Sequence, residues 1–234
     1  MCNGHLGGRI LDILYHGSDH IIEKPIFGAG ALNNDYGRGF YCTKSPELAK
    51  EWACGKGTDG FANKYEIDLS KLKVINLNEK PYNILNWLAV LTKHRTYWQR
   101  SSISEEAKTY LQENFYVDIS GYDVVRGYRA NDSYFSFAQD FVSGAISVDK
   151  LKRAMHLGEL GEQIVLISER AFSEIKYIGF EEADAKTYYD KKVERDLRAK
   201  NAYVTDKRSG TDISETYMID IMRGNIKNDD PRLQ

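Results

Sequence analysis

The sequence predicts an α+β protein, with a sheet core, flanking helices and a helical C-terminal extension. Three observations predict it. Short β-branched or aromatic runs, such as "YDVVRGY" (122–128), "QIVLIS" (163–168) and "IKYIGF" (175–180), read as strands. Capped amphipathic stretches between them read as helices. The two kinds are interspersed without the regular alternation that a doubly wound sheet requires. The 234 residues, 42% hydrophobic and 28% charged, suit a globular domain with an appended subdomain.

In chain order, residues 9–16 form the first expected strand. Residues 19–38 read as a loop, from the cluster Gly28, Gly30, Asn33, Asn34, Asp35, Gly37 and Gly39. "GFYCT" (39–43) is a short strand. "SPELAKEWA" (45–53) opens as a helix should, with Ser45 as N-cap and Pro46 at the first helical position. "KYEIDL" (64–69) and "LKVINL" (72–77) are further strands. Residues 82–98 carry Ile84, Leu85, Leu88 and Leu91 on one helical stripe. More polar helices follow at 104–114, at 132–144 and at 147–158, the last with Ser147 as cap and Gly158 as stop. From about 183 the chain is highly charged, and a partly apolar helix is expected again at 212–226.

The charge balance is 32 basic against 34 acidic residues, net -2, which carries no general attraction to nucleic acid. Three cysteines, Cys2, Cys42 and Cys54, do not make a disulfide framework and fit a reducing compartment. No spacing suggests a zinc site, and we expect no metal. No signal peptide and no bilayer-spanning run is visible, so a cytoplasmic protein without a membrane partner is expected. A toxin delivered into another cell by a secretion machine would look the same.

Two phosphate-loop look-alikes fail. "GKGT" (55–58) lacks the leading glycine of a Walker loop, since position 50 is lysine. "GAGALN" (28–33) has Asn33 where a dinucleotide fingerprint needs its third glycine. Cys42 is a weak nucleophile candidate: no third residue orients a Cys42–His16 pair, and buried cysteine is commonly inert. "KHRTYWQR" (93–100) mixes Lys93, His94, Arg95, Tyr97, Trp98 and Arg100. It reads as the charged end of an amphipathic helix rather than a nucleic-acid surface.

What remains is a discontinuous set: "LYHGS" (14–18), "DYGRGFYCTKSPELAKEWA" (35–53) and "GEQIVLISERAFSEIKYIGF" (161–180). At these residues the sequence resembles the ADP-ribosyltransferase superfamily, in the branch with a His-Tyr-Glu signature shared by diphtheria-type toxins and poly(ADP-ribose) polymerases. Through "YDVVRGYRANDSYF" (122–135) and "DISETYMIDIMRGNIKNDDPRL" (212–233) it resembles more closely an uncharacterised bacterial family of that clan.

The resemblance implies a split-sheet domain over residues 1–182 with a helical insertion at about 81–116. Residues 183–234 would be a helical extension packed on it. It implies NAD as substrate, cleavage of the nicotinamide–ribose bond and transfer of ADP-ribose to an unidentified protein, nucleic-acid or small-molecule acceptor. Binding of NAD or ADP-ribose without turnover is the alternative. A toxin-like role, with an antitoxin or immunity protein as partner, is implied by analogy.

By the same resemblance His16 would hydrogen-bond a ribose hydroxyl, and Gly17 would pair its backbone with the nicotinamide carboxamide. Tyr41 would stack on the nicotinamide, and Trp52 would close the ring's other side. Tyr15, Ser18 and Phe40 belong to the same motifs, and Gly37 and Gly39 would keep the approach open. Asn131, Asp132 and Tyr134 would lie beside the pocket, although helix capping and packing explain them equally. The third catalytic position is Glu162 or Gln163. Strand alternation lets only one of them point inward, and we favour Gln163.

Overall fold

The computed structural model describes residues 11–95, 101–130, 132–210 and 214–233. The fold is α+β, with two sheets. The first contains β1 (Asp12–Ser18), β3 (Gly60–Ile67) and β7 (Lys176–Ala183) in the order β1-β3-β7, all antiparallel. The second has the order β2-β6-β5-β4, from β2 (Phe40–Cys42), β6 (Gln163–Leu166), β5 (Val124–Gly127) and β4 (Val74–Asn76). Its β4–β5 pair is parallel and the others antiparallel. Among the described residues the two sheets are joined by backbone hydrogen bonds at one place, where Tyr15 and Thr43 exchange bonds of 2.8 and 2.9 Å.

Helix α1 (Pro46–Ala53) starts where its sequence says. The Ser45 hydroxyl accepts from the Leu48 N–H at 3.2 Å, and Pro46 fits the first turn. It lies across the face of β1 and β3 that carries Tyr15 and Ala62, and Ala49 is buried there. The opposite face of β1 buries Leu14 with Tyr65, Cys42, Ile164 and Leu166 in the core between the sheets.

A larger apolar core lies among the helices. It is built from α2 (Ile84–His94), α3 (Ser102–Asn114), α4 (Asp132–Val142) and α5 (Val148–His156). Trp87, Leu88, Leu111, Phe137, Phe141 and Leu151 are fully or almost fully buried there. Short α6 (Glu169–Glu174) joins β6 to β7. The charged stretch after β7 is the 24-residue α7 (Ala185–Arg208), followed by α8 (Met218–Arg223). Ala199, Tyr203, Met218 and Ile221 enter the same apolar core.

Three elements differ from the sequence-based expectation. The strand expected at 64–69 begins at Gly60. The helix expected at 212–226 is only Met218–Arg223 within the described residues, while the long helix before it, α7, has no apolar stripe to announce it. The helix expected at 82–98 is Ile84–His94, and the "KHRTYWQR" run does supply its charged end, with Lys93 and His94 in the last turn. His94 packs under Gly37, and Arg95 turns back to Asp35 at 2.9 Å. Tyr97, Trp98 and Arg100 lie outside the described residues.

Candidate active site

A cavity of about 1180 Å³ opens in the fork between the two sheets. Its walls come from the end of β1, the start of β2, the loop over residues 20–35, the end of α1, the chain after β5, the start of β6, and single residues of α6 and α7.

The fork arises at the Tyr15–Thr43 pair. In an antiparallel ladder the next hydrogen-bonded pair would be Gly17 with Tyr41. That pair does not form. The His16 ring reaches the Tyr41 carbonyl instead, with Nδ1 at 2.7 Å. Gly17 presents its peptide groups to the same edge as Tyr15. Among the described residues no hydrogen bond engages them there.

The carbonyl acceptor assigns the His16 proton to Nδ1, which leaves Nε2 as a lone-pair acceptor. Burial lowers the His16 pKa, with smaller contributions from His20 and Arg129, so the imidazole is held neutral. Its ring stacks on Phe40 at 4.3 Å between centroids.

Gly17 has a second reason to be glycine. A Cβ there would sit 2.0 Å from the Ala49 carbonyl oxygen and 2.8 Å from the Ala53 nitrogen. Only a bare backbone lets α1 lie this close to β1.

Tyr41 donates its hydroxyl to the Gly37 carbonyl at 2.6 Å and accepts from the Tyr36 N–H at 3.1 Å. Burial raises its pKa, so the phenol stays neutral while the partly exposed ring borders the cavity. Gly37 takes φ +76° in this loop, a region costly for other residues. A Cβ on Gly39 would lie 2.6 Å from Val165 Cγ1. Gly39 thus keeps β2 close to β6, and it is also on the cavity wall.

Residues alternate along β6. Ile164 enters the core between the sheets, Val165 the helical core. Gln163 therefore shares the Val165 face, lines the cavity and is 5% exposed. Its Oε1 is buried without a hydrogen-bond partner among the described residues. Glu162 is turned to the other side, where Arg126 Nε donates to it at 2.7 Å and Nη2 lies at 2.5 Å. It is absent from the cavity wall, so the two candidates for the third position are separated by geometry.

Other expected site residues lie elsewhere. Tyr15 is buried against Ala49 and Ala62, on the α1 side of the sheet. The Ser18 hydroxyl donates to the His20 carbonyl and accepts from Asn63 Nδ2 at 3.0 Å, which shapes the turn rather than the cavity wall. Tyr134 is fully buried in the helical core, edge-on to Phe137, and not beside the pocket. Asn131 and the side chain of Asp132 lie outside what is described. Trp52 borders the cavity, but one face of its indole is covered by the Arg129 guanidinium, 3.3 Å from the ring centroid.

Cys42 is fully buried in the core between the sheets, and burial raises its thiol pKa far above the range of a reactive thiolate. No group of three or more His, Cys, Asp or Glu able to hold a metal occurs among the described residues. No helix of the described residues is long and apolar enough to cross a membrane.

Sequence reasoning passed over several polar wall residues, among them Asp35, Arg95, Arg129 and Lys192. Asp35 and Arg95 clamp the glycine-rich loop to the chain after β5. Asp35 also accepts from the Ala130 N–H at 2.8 Å, and Arg95 donates to the Ala130 carbonyl at 2.7 Å. Burial raises the Asp35 pKa, which Arg95 opposes. The signal for Arg129 was available in "YRANDSYF", where a cation directly follows a strand end. Lys192 gives no signal in a stretch as charged as α7.

The fold and site thus define a class: an α+β protein with a cavity, walled in part by imidazole, phenol and amide side chains, in the fork between two sheets. A family model described as "Protein of unknown function (DUF3990)" matches residues 13–177, and the chain belongs to that family. Every cavity residue named here except Lys192 falls inside the matched stretch. Neither the curated proteins nor the solved structures gave a match.

Proposed function

We propose that this protein is a mono-ADP-ribosyltransferase of the NAD-dependent, ADP-ribosyltransferase-like kind, its two sheets forming the split core of that fold. The observation that carries the reading is the broken ladder between β1 and β2. It leaves the His16 Nε2 acceptor, the Gly17 peptide groups and the Tyr41 ring along one lip of a single cavity.

These groups suit a bent dinucleotide. The Gly17 N–H and C=O would answer the nicotinamide carboxamide, which has one acceptor and a paired donor. The Tyr41 ring would stack on the nicotinamide, and His16 Nε2 would accept from a ribose hydroxyl. The C1′–N bond then breaks, with its electron pair leaving on nicotinamide, and the ribose passes through an oxocarbenium-like state. The acceptor's nucleophile forms the new bond at C1′ and gives up its proton to solvent. The unpartnered Gln163 Oε1 would accept a second ribose hydroxyl and aim its dipole at the cationic sugar.

A second reading, binding of NAD or ADP-ribose without turnover, is favoured by one observation. The residue on the cavity wall is an amide, and the neighbouring carboxylate of Glu162 is spent on Arg126. An amide supplies no net charge to the developing cation.

The test is release of nicotinamide from labelled NAD by the wild type and by His16→Ala and Tyr41→Ala, with and without a cell lysate as acceptor source. Release confined to the wild type supports transfer, and the fraction holding the label names the acceptor. Saturable NAD binding that depends on Tyr41, without release, supports the second reading. Absence of both removes NAD from the account.

A further inference from the structure

We propose that Arg129, laid flat on Trp52, is an anchor for the diphosphate of a nucleotide ligand in the cavity. The proposal rests on the reading of this cavity as a nucleotide site.

Arg129 lines the cavity with its guanidinium 3.3 Å from the centroid of the Trp52 ring. Its Nε and Nη1 are buried and have no hydrogen-bond partner among the described residues. The carboxylates of Asp35 and Asp196 attract it through space without a hydrogen bond to its Nε or Nη1, and the Asp35 oxygens are already committed to Arg95 and the Ala130 N–H. Burial lowers the Arg129 pKa to about 9. A buried cation with unanswered donors destabilises the fold that holds it.

Such a group beside a cavity is accounted for by an anion that arrives from outside. The indole covers one face of the guanidinium and holds it flat. A planar cation held in one orientation presents its N–H donors at fixed angles to phosphate oxygens. A diphosphate is the class that fits best. A cavity of about 1180 Å³ leaves room beside Arg129 for the groups on either side of such a linker. Lys192 of α7 and Lys24 also line the cavity and add positive charge there, beside the acidic Glu23.

The experiment compares wild type with Arg129→Gln, using calorimetric titration with ADP, inorganic pyrophosphate and adenosine at fixed ionic strength, and thermal melts without ligand. ADP and pyrophosphate are expected to bind the wild type, and the variant roughly tenfold to a hundredfold more weakly, as for loss of charge-assisted hydrogen bonds. Adenosine affinity should not change. The ligand-free variant should melt at a higher temperature than wild type, since a residue kept for a ligand costs the empty protein stability. A purely structural arginine would give the opposite shift.

Equal ADP affinity in both proteins overturns the proposal, as does failure of the wild type to bind ADP and pyrophosphate at millimolar concentration. Should the neutral variant not fold, Arg129→Lys replaces it. Lysine keeps the charge but loses the planar, indole-stacked donor geometry, so ADP affinity should fall roughly tenfold, and unchanged affinity again overturns the proposal. Arg129-dependent ADP binding without nicotinamide release would stand against the transferase reading and leave this one intact. Nicotinamide release with an unaltered KM for NAD in Arg129→Gln would do the reverse.

Discussion

The His16 ring takes the Tyr41 carbonyl, at 2.7 Å, that a regular ladder would have offered to the Gly17 N–H. One side chain therefore ends the contact between the sheets and leaves a strip of unpaired backbone facing the cavity. Because the imidazole is held neutral, its stability contribution has a definite sign. Its pKa is lower in the folded protein than the ordinary value of about 6.5. The unfolded chain then binds more protons in the window just below that value. The stability His16 contributes is thus present above about pH 6.5 and is lost as pH falls through the folded pKa. Chemical denaturation of wild type and His16→Gln from about pH 8 to about pH 5 should show the wild type losing ground at the acid end. His94, also lowered by burial, is present in both proteins and cancels. A flat difference across the range would contradict a buried neutral imidazole.

Gly17→Ala should destabilise the protein whatever the ligand does. The new methyl would meet the backbone of α1, at 2.0 Å from the Ala49 oxygen, and backbone cannot step aside as a flexible side chain can. A loss of about 1–3 kcal/mol or more is expected from such overpacking. Urea melts would measure it, and a variant as stable as wild type would mean that α1 does not lie so close to β1.

Glu162 and Gln163 should part company. Glu162→Ala removes a partly exposed ion pair with Arg126 and should cost at most about 1 kcal/mol. Its nicotinamide release should stay near wild type. Gln163→Ala removes the unpartnered amide from the wall and should lower release, or NAD affinity, roughly tenfold or more. Gln163→Glu places a carboxylate there and should raise release, if lack of charge is what limits the wild type. Steady-state kinetics on the three variants decide. A loss confined to Glu162→Ala would mean that β6 has been read on the wrong face.

Arg95→Ala should be costly. Asp35 is 3% exposed, and without Arg95 its buried carboxylate would keep only the Ala130 N–H. Breaking a buried pair by removing one partner typically costs about 3–5 kcal/mol. Thermal melts should show this loss, together with weaker ligand binding, because the glycine-rich loop forms part of the cavity wall. A variant that melts with the wild type would show that the clamp contributes nothing.

Much of the fold was legible because local rules govern it. Ser45 with Pro46, and Ser147, marked the starts of α1 and α5, and both serines cap as their positions suggest. The runs that became β5, β6 and β7 stood out by β-branching. The helix α7 did not. Only Ala185, Ala199 and Tyr203 of its 24 residues are buried, so no apolar period marks it. It is held by contacts distant in sequence, such as Arg195 with Glu51 and Lys191 with Glu47 at 3.1 Å.

The site divides along the same line. Candidates for the wall were legible in the sequence: His16, Gly17, Gly39, Phe40 and Tyr41 stand in motifs short enough to read, and strand alternation ruled that Glu162 and Gln163 cannot share a face. Which of that pair turns inward was decided by the pairing of β6 with β2 and β5, and pairing is a property of strands far apart in the chain. The same is true of Trp52, whose indole is covered by Arg129, and of Tyr134, drawn into the helical core. Motifs are local, so a sequence carries them. Faces, partners and unanswered charges depend on what packs against each residue, and that was decided only by the tertiary structure.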